Sequence, residues 1–321
     1  MNRKVLVFSV AAAIVALSIV PSAVSLDEGF LPPNDMSIPV DSLQAKGITE
    51  KQFNDVMDQI QSLYGPVVAA HGGTLVIKRR WDNGMVNAYA ERIGSDYIIH
   101  MYGGLARHEA VTQDGMALVA CHELGHHIGG APKKWGNDWA SNEGQADYFA
   151  NLKCLRRVFA SPGAASFTRL AGEEDWARAA CQKSYSQPVD RDICVRASMA
   201  GMSVTTLMRM RRNEAELPRF ETPDPNVVSE TIDLHPGTQC RLDTYVAGSL
   251  CARPVDEEVS ESDPAPGTCT RSEERVGLRP RCWYKPPAGK PVGFAEVAAR
   301  PAPRAPALMS VLNQANPWKG F

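Results

Sequence analysis

Three histidines and a glutamate fall within six residues of the stretch "ALVACHELGHHIGG", residues 117–130, between an apolar run and a pair of glycines. His122, Glu123 and His126 form H-E-x-x-H. On a helix, residues four apart share a face, so two imidazoles can reach one ion while the intervening glutamate stands beside it. Two imidazoles suit Zn2+, and a catalytic zinc takes a third protein ligand and keeps a position open. The candidate is Glu143, on the first turn of the next expected helix in "NEGQADYFA". Asp147 follows on the same face and can accept the free ring N–H of a ligating histidine. Ala146 between them lets two helices approach closely. One Zn2+ per chain is therefore expected, on His122, His126 and Glu143, with Glu123 as general base. Cys121 and His127 are each rotated by about 100° from a ligand and are excluded from it. His71 and His108 read as surface histidines, and His100 lies in a strand that can face the cleft.

The elements that must position these residues follow from periodicity. "TEKQFNDVMDQIQSLYG" begins with Thr49 as a cap and Gln52 three places on, with Phe53, Val56, Met57, Ile60 and Leu63 at helical spacing. "GTLVIKRRW", "VNAYAERI" and "DYIIHMY" read as strands of a small antiparallel sheet, with Asn83-Gly84 and "IGSD" as tight turns. From Asp114 the pattern is helical through the histidines to Gly129-Gly130-Ala131-Pro132, and Ser141 is the expected cap of the following helix. "EEDWARAAC" and "RDICVRASMAGMSVTTLMRMRRN" add helices, and "HPGTQCRLDTYVAGSLC" adds another with Pro236 at or near its first turn. The class is α+β, mostly helical, with the small sheet beside the H-E-x-x-H helix.

The amino terminus, "MNRKVLVFSVAAAIVALSIVPSAVS", has a basic start, an apolar run and small residues before Ser25. That is the pattern of a secretory signal cut after Ser25, with an uncleaved anchor as its rival. No later stretch is long and apolar enough to span a bilayer, so no stable membrane insertion is expected beyond the signal segment. Export to a periplasmic or secreted setting makes the eight cysteines disulfide candidates, and no C-x-x-C pair suggests a zinc knuckle or redox motif. The formal net charge of -2 gives no reason to expect a nucleic-acid partner. The expected organisation is a signal over 1–25, a leader over 26–48, a metallopeptidase domain over 49–252 and a cysteine-containing, Pro-rich extension over 253–321.

The chain resembles the gluzincin metallopeptidases, within them the group of HtpX and the CaaX prenyl proteases. "NAYA", "DYIIHMYGGL", "HELGH", "EGQAD" and "HPGTQCR" occur here in the family's order. The resemblance implies a zincin-like endopeptidase fold acting on polypeptide, with Asn87, Ala88, Tyr89 and Ala90 near the substrate. It also implies that His235 and Arg241 approach the zinc and stabilise the oxyanion. Two departures stand out. The stretch from His126 to Glu143 is short, which implies a cleft more open on that side, and the transmembrane helices of those branches are missing. The alternative function is a zinc-containing polypeptide-binding folding factor or an inactive protease-like scaffold. A third is a structural protein that relies on its cysteines.

Overall fold

In the computed structural model, which describes residues 24–25, 29–161 and 174–287, Thr49 caps the first helix as its sequence requires. Its hydroxyl accepts from Gln52 N, and the Gln52 side chain returns the bond to Thr49 N at 2.9 Å, so both ends of the capping box are made. The helix, α1 (Glu50–Ala70), buries Phe53, Val56, Met57, Ile60, Tyr64 and Val68. That stripe packs on the strand β2 (Thr74–Arg80) and on the H-E-x-x-H helix α3 (Gln113–Ile128).

The sheet differs from the expected antiparallel one. Its order is β1 (Val24–Ser25), β3 (Ala88–Ile93), β4 (Asp96–Tyr102), β2, and β2 runs parallel to β4. β3 and β4 form the hairpin, turning at Gly94-Ser95 with Gly94 at φ +56°. The Asn83-Gly84 dipeptide makes no hairpin. Gly84 O accepts from Ile38 N at 2.7 Å, and Asn83 O accepts from Gly104 N at 2.9 Å and from the Arg107 side chain at 3.1 Å. This stretch therefore serves as a docking point for the leader and for the short α2 (Gly103–Arg107). β4, flanked on both sides, carries the near-continuous apolar run that a central strand needs.

Beyond α3 come α4 (Glu143–Phe149), a π-helical turn over Ala150–Cys154, and α5 (Leu155–Ala160). Then follow α6 (Glu174–Ser184), α7 (Pro188–Arg212) and α8 (Thr238–Leu250). α8 begins after Pro236, with Gly237 as its N-cap, so His235 and Pro236 lie in the preceding loop. α3 stands between the sheet and α7, and α4 packs on both α3 and α8. Described residues of the leader and of the C-terminal extension contribute to the packed interior. Phe30, Leu31, Ile38 and Ile48 of the leader are buried in the main core. In the C-terminal extension, Trp283 is the largest fully buried side chain among the described residues.

Four disulfides join Cys121–Cys154, Cys181–Cys194, Cys240–Cys282 and Cys251–Cys269. The last two staple the C-terminal segment to α8. No helix among the described residues is long and apolar enough to cross a membrane. The expected signal lies outside the described residues apart from Val24–Ser25.

Candidate metal centre

α3 presents His122 and His126 one turn apart, and α4 starts at Glu143 because Asn142 caps it, its Oδ1 accepting from Gln145 N at 2.9 Å. Ser141, the expected cap, acts differently. Its hydroxyl donates to Gly130 O at 2.6 Å, and its carbonyl points at His126. The helices meet where side chains are smallest, since a Cβ on Gly125 would lie 3.0 Å from Ala146 O. Ligand atoms of His122, His126 and Glu143 thereby come within 4.8 Å of one another, a group that can hold a metal ion.

Proton positions follow from the partners. His126 Nδ1 lies 2.8 Å from Ser141 O, which can only accept, so this nitrogen carries the hydrogen. His122 Nδ1 lies 2.8 Å from Asp147 Oδ1, again an acceptor. Both Nε2 atoms then turn their lone pairs inward, 3.2 Å apart. Glu143 Oε2 stands 3.4 Å from His122 Nε2, and Glu143 Oε1 stands 3.7 Å from His126 Nε2. Two imidazole lone pairs and a carboxylate thus converge in a site where every contributing residue is buried. Such a set is costly unless a cation or a shared proton sits among it. The titration directions agree. Burial opposes charge on His122, but Asp147, Glu143 and Glu123 carry its imidazole up, whereas burial and His122 push His126 down. Burial also opposes the Glu143 carboxylate, yet His235, His126 and His122 hold it well below its ordinary range.

Glu123 lies beside the cluster with both carboxylate oxygens buried and without a hydrogen-bond partner. Burial pushes its pKa up to about 8, with Glu143 and Asp147 adding to the rise and His122 and Arg241 opposing it. Asp147 stands against His122. Its carboxylate also accepts from Arg241 Nε at 2.8 Å, from Arg241 Nη2 at 2.7 Å and from Tyr245 OH at 2.6 Å. Arg241 thus faces Asp147, with two of its three guanidinium nitrogens on that carboxylate. Its third nitrogen, Nη1, donates to Phe30 O at 2.7 Å, so the whole guanidinium is committed behind His122. Six residues along a helix turn His235 and Arg241 to different sides, and His235 precedes α8 in any case. His235 does reach the centre, with Nε2 3.1 Å from Glu143 Oε2 and 2.8 Å from Gly29 O.

The four residues of "NAYA" have separate surroundings. Asn87 exchanges bonds with the Leu31 backbone at 2.9 and 3.0 Å, Ala88 is buried, Tyr89 stacks on His100, and Ala90 packs with Ala140 and Trp139. His100 pairs with Glu91 at 2.8 Å instead of entering the cluster. His127 is also outside it, sandwiched between Tyr97 and Trp139, and burial pushes its pKa down to about 3. The expected openness between His126 and Glu143 is overturned. The loop folds back on itself through a Lys133–Ser141 bridge, and His122, Glu123, His126 and Glu143 are all closed off from solvent. A second grouping, Asp224 with Cys240 and Cys282, offers no thiolate because the two sulfurs form a disulfide.

Tyr245 and the Gly29-Phe30 pair escaped the sequence reading. Tyr245 was within reach of it, four residues after Arg241 on one helical face, as a second partner for a buried carboxylate. Comparison with family models, with curated proteins and with solved structures finds no match to this chain.

Proposed function

We propose that this chain is an exported zinc-dependent endopeptidase resembling the gluzincins, with His122, His126 and Glu143 holding one Zn2+ and Glu123 acting as general base on polypeptide substrates. The observation that carries the reading is the convergence of two imidazole lone pairs and the Glu143 carboxylate beside a buried, unpartnered glutamate. Two imidazoles with a carboxylate are the donor set of a catalytic zinc. When bound, zinc would polarise a peptide carbonyl and lower the pKa of water.

The remaining work falls to the chain. Asp147 and Ser141 hold the Nδ1 atoms of His122 and His126, so both Nε2 atoms face the site, and a cation there would displace the proton that the acidic neighbours favour on His122. Glu123, with no competing hydrogen bond, takes a proton from water and returns it to the leaving amine. A cation nearby would draw its pKa down from the raised value, towards a carboxylate able to accept that proton. His235 Nε2, which already donates to one peptide carbonyl, can donate to a substrate carbonyl at the same place. Four disulfides suit an oxidising compartment, which supports the periplasmic or secreted setting.

The complete burial of the ligands favours one rival, an inactive scaffold with structural zinc. Metal analysis of purified protein, joined to casein digestion by wild type and Glu123→Gln, decides between them. The peptidase reading expects one zinc per chain in both proteins and chelator-sensitive digestion by wild type alone. Zinc in both with digestion in neither supports the scaffold, and protein that folds and binds no zinc removes both readings.

A further inference from the structure

The outer edge of β3 is already taken by the chain itself. Phe30 N donates to Ala88 O at 2.8 Å, Leu31 N to Asn87 Oδ1 at 2.9 Å, and Asn87 Nδ2 returns a bond to Leu31 O at 3.0 Å. This is the geometry of an extended peptide added to a sheet edge. The other edge of β3 is closed by β4.

The segment also reaches the metal centre. Gly29 O accepts from His235 Nε2 at 2.8 Å, and that nitrogen is 3.1 Å from Glu143 Oε2. A peptide carbonyl therefore sits one hydrogen bond from a candidate ligand. Next along, the Phe30 ring stands edge-on to His122 at 5.2 Å, and its carbonyl accepts from Arg241 at 2.7 Å. The approach depends on glycine, because a Cβ at Gly29 would lie 2.2 Å from Ala88 O, a backbone atom that cannot swing aside. Phe30 and Leu31 are fully buried and anchor the strand in the core.

We infer that residues 29–31 are a built-in occupant of the peptide-binding position, laid on β3 in place of a substrate strand, and that the centre becomes accessible when Gly29 lifts from β3. The inference rests on the peptidase reading for what the segment displaces, but not for the fact of cover. Phe30 and Leu31 serve as the anchor, and the Gly29 carbonyl on His235 is the part that must leave. A polypeptide entering along β3 would exchange its own carbonyl for that of Gly29.

The test uses the full chain as wild type, Gly29→Ala and Asn87→Ser, with retained disulfides and a cooperative melt as the check on folding. Three readouts are taken: hydrogen exchange over residues 29–31, diethylpyrocarbonate modification of His122 and His126 in metal-free protein, and removal of zinc by a coloured chelator. Loosening either contact is expected to speed segment exchange and to raise histidine modification and zinc removal together, by about tenfold or more. Faster segment exchange with histidine modification unchanged would overturn the inference. So would wild-type histidines that react as fast as those of the variants, or segment exchange unaltered in both variants. Activity separates this inference from the one beneath it. Faster modification without peptide cleavage leaves the cover standing and removes the peptidase reading, whereas equal cleavage by all three proteins with equal modification does the reverse.

Discussion

Arg241 grips Asp147 through two parallel bonds of 2.8 and 2.7 Å, and Asp147 in turn holds His122 Nδ1 at 2.8 Å. The arginine thus connects to the candidate metal centre through a carboxylate and an imidazole. Losing such an outer partner typically weakens metal binding by about 10–100-fold. Stranding a buried charge costs about 3–5 kcal/mol of stability. Arg241→Met is therefore expected to show both effects, measured by chelator competition and by urea unfolding. An oxyanion donor would behave otherwise, losing turnover with zinc affinity intact, and that outcome would return Arg241 to the cleft.

Glu143 and Asp147 are separable by metal content. Glu143→Ala removes a carboxylate from the converging cluster and is expected to abolish stoichiometric zinc. Asp147→Asn keeps the shape but can present an amide N–H to His122, which spoils the tautomer lock, so it should bind zinc more weakly by about 10–100-fold. Zinc titration by competition checks both. Equal zinc affinity in wild type and Glu143→Ala would remove Glu143 from the site.

The candidate metal ligands were legible because their geometry is local. H-E-x-x-H and E-x-x-A-D each lie on one helix, and helical spacing alone predicts which side chains share a face. Longer-range relations left no such trace. Asn83-Gly84 carries a hairpin signal, yet which strand pairs with β4 depends on contacts with Ile38 and Arg107 far along the chain. Gly29-Phe30 has no periodicity to betray that it meets the site. The C-terminal segment looked detached for the same reason. It is irregular, and its burial comes from two disulfides and one tryptophan rather than from an amphipathic pattern.

That tryptophan sets the next expectation. Trp283 Nε1 donates to Thr244 Oγ1 at 3.0 Å, and its ring presses on Gly144, where an added Cβ would stand 2.2 Å from Cδ2. Gly144 adjoins Glu143, so the C-terminal segment backs the first turn of α4. Trp283→Ala is expected to cost about 3–5 kcal/mol in denaturant unfolding. Gly144→Ala should destabilise too, by forcing the indole away. A Trp283→Ala protein that unfolds at the wild-type midpoint would show that the segment contributes no packing.

Disulfides give a third handle. Cys251–Cys269 closes a loop with a sequence separation of 18 and Cys240–Cys282 one of 42, and both hold the segment that carries Trp283. Replacing either pair with serines should cost about 2–5 kcal/mol, the range for a native bridge in a small secreted domain. Zinc stoichiometry is expected to survive, since no candidate ligand at the His122 cluster is a cysteine. Mass mapping that found most cysteines free in protein from its native compartment would overturn the pairing.

Lys153 supplies a pH dependence that does not involve the metal. It lies in the π-helical turn, buried, with Nζ donating to Pro254 O at 2.5 Å. Burial pushes its pKa down from 10.5 to about 7, with Arg156 and Arg253 adding to the fall and Glu257 and Asp256 opposing it. Below about pH 7 the folded and unfolded chains both hold the proton, and the cost of burying the ammonium is fully expressed. Above that pH the folded chain releases its proton while the unfolded chain keeps it up to 10.5, so the unfolded state binds more protons and stability rises with pH. Lys153→Met removes the ammonium along with one hydrogen bond. It should therefore be more stable than wild type by about 1–3 kcal/mol at about pH 6, allowing for partial solvent relief, and its advantage should shrink steadily towards about pH 9. Urea unfolding of both proteins at these two pH values measures the difference directly. A gap that stayed constant would mean that Lys153 keeps its proton throughout, its charge satisfied by Pro254 O and the acidic residues nearby.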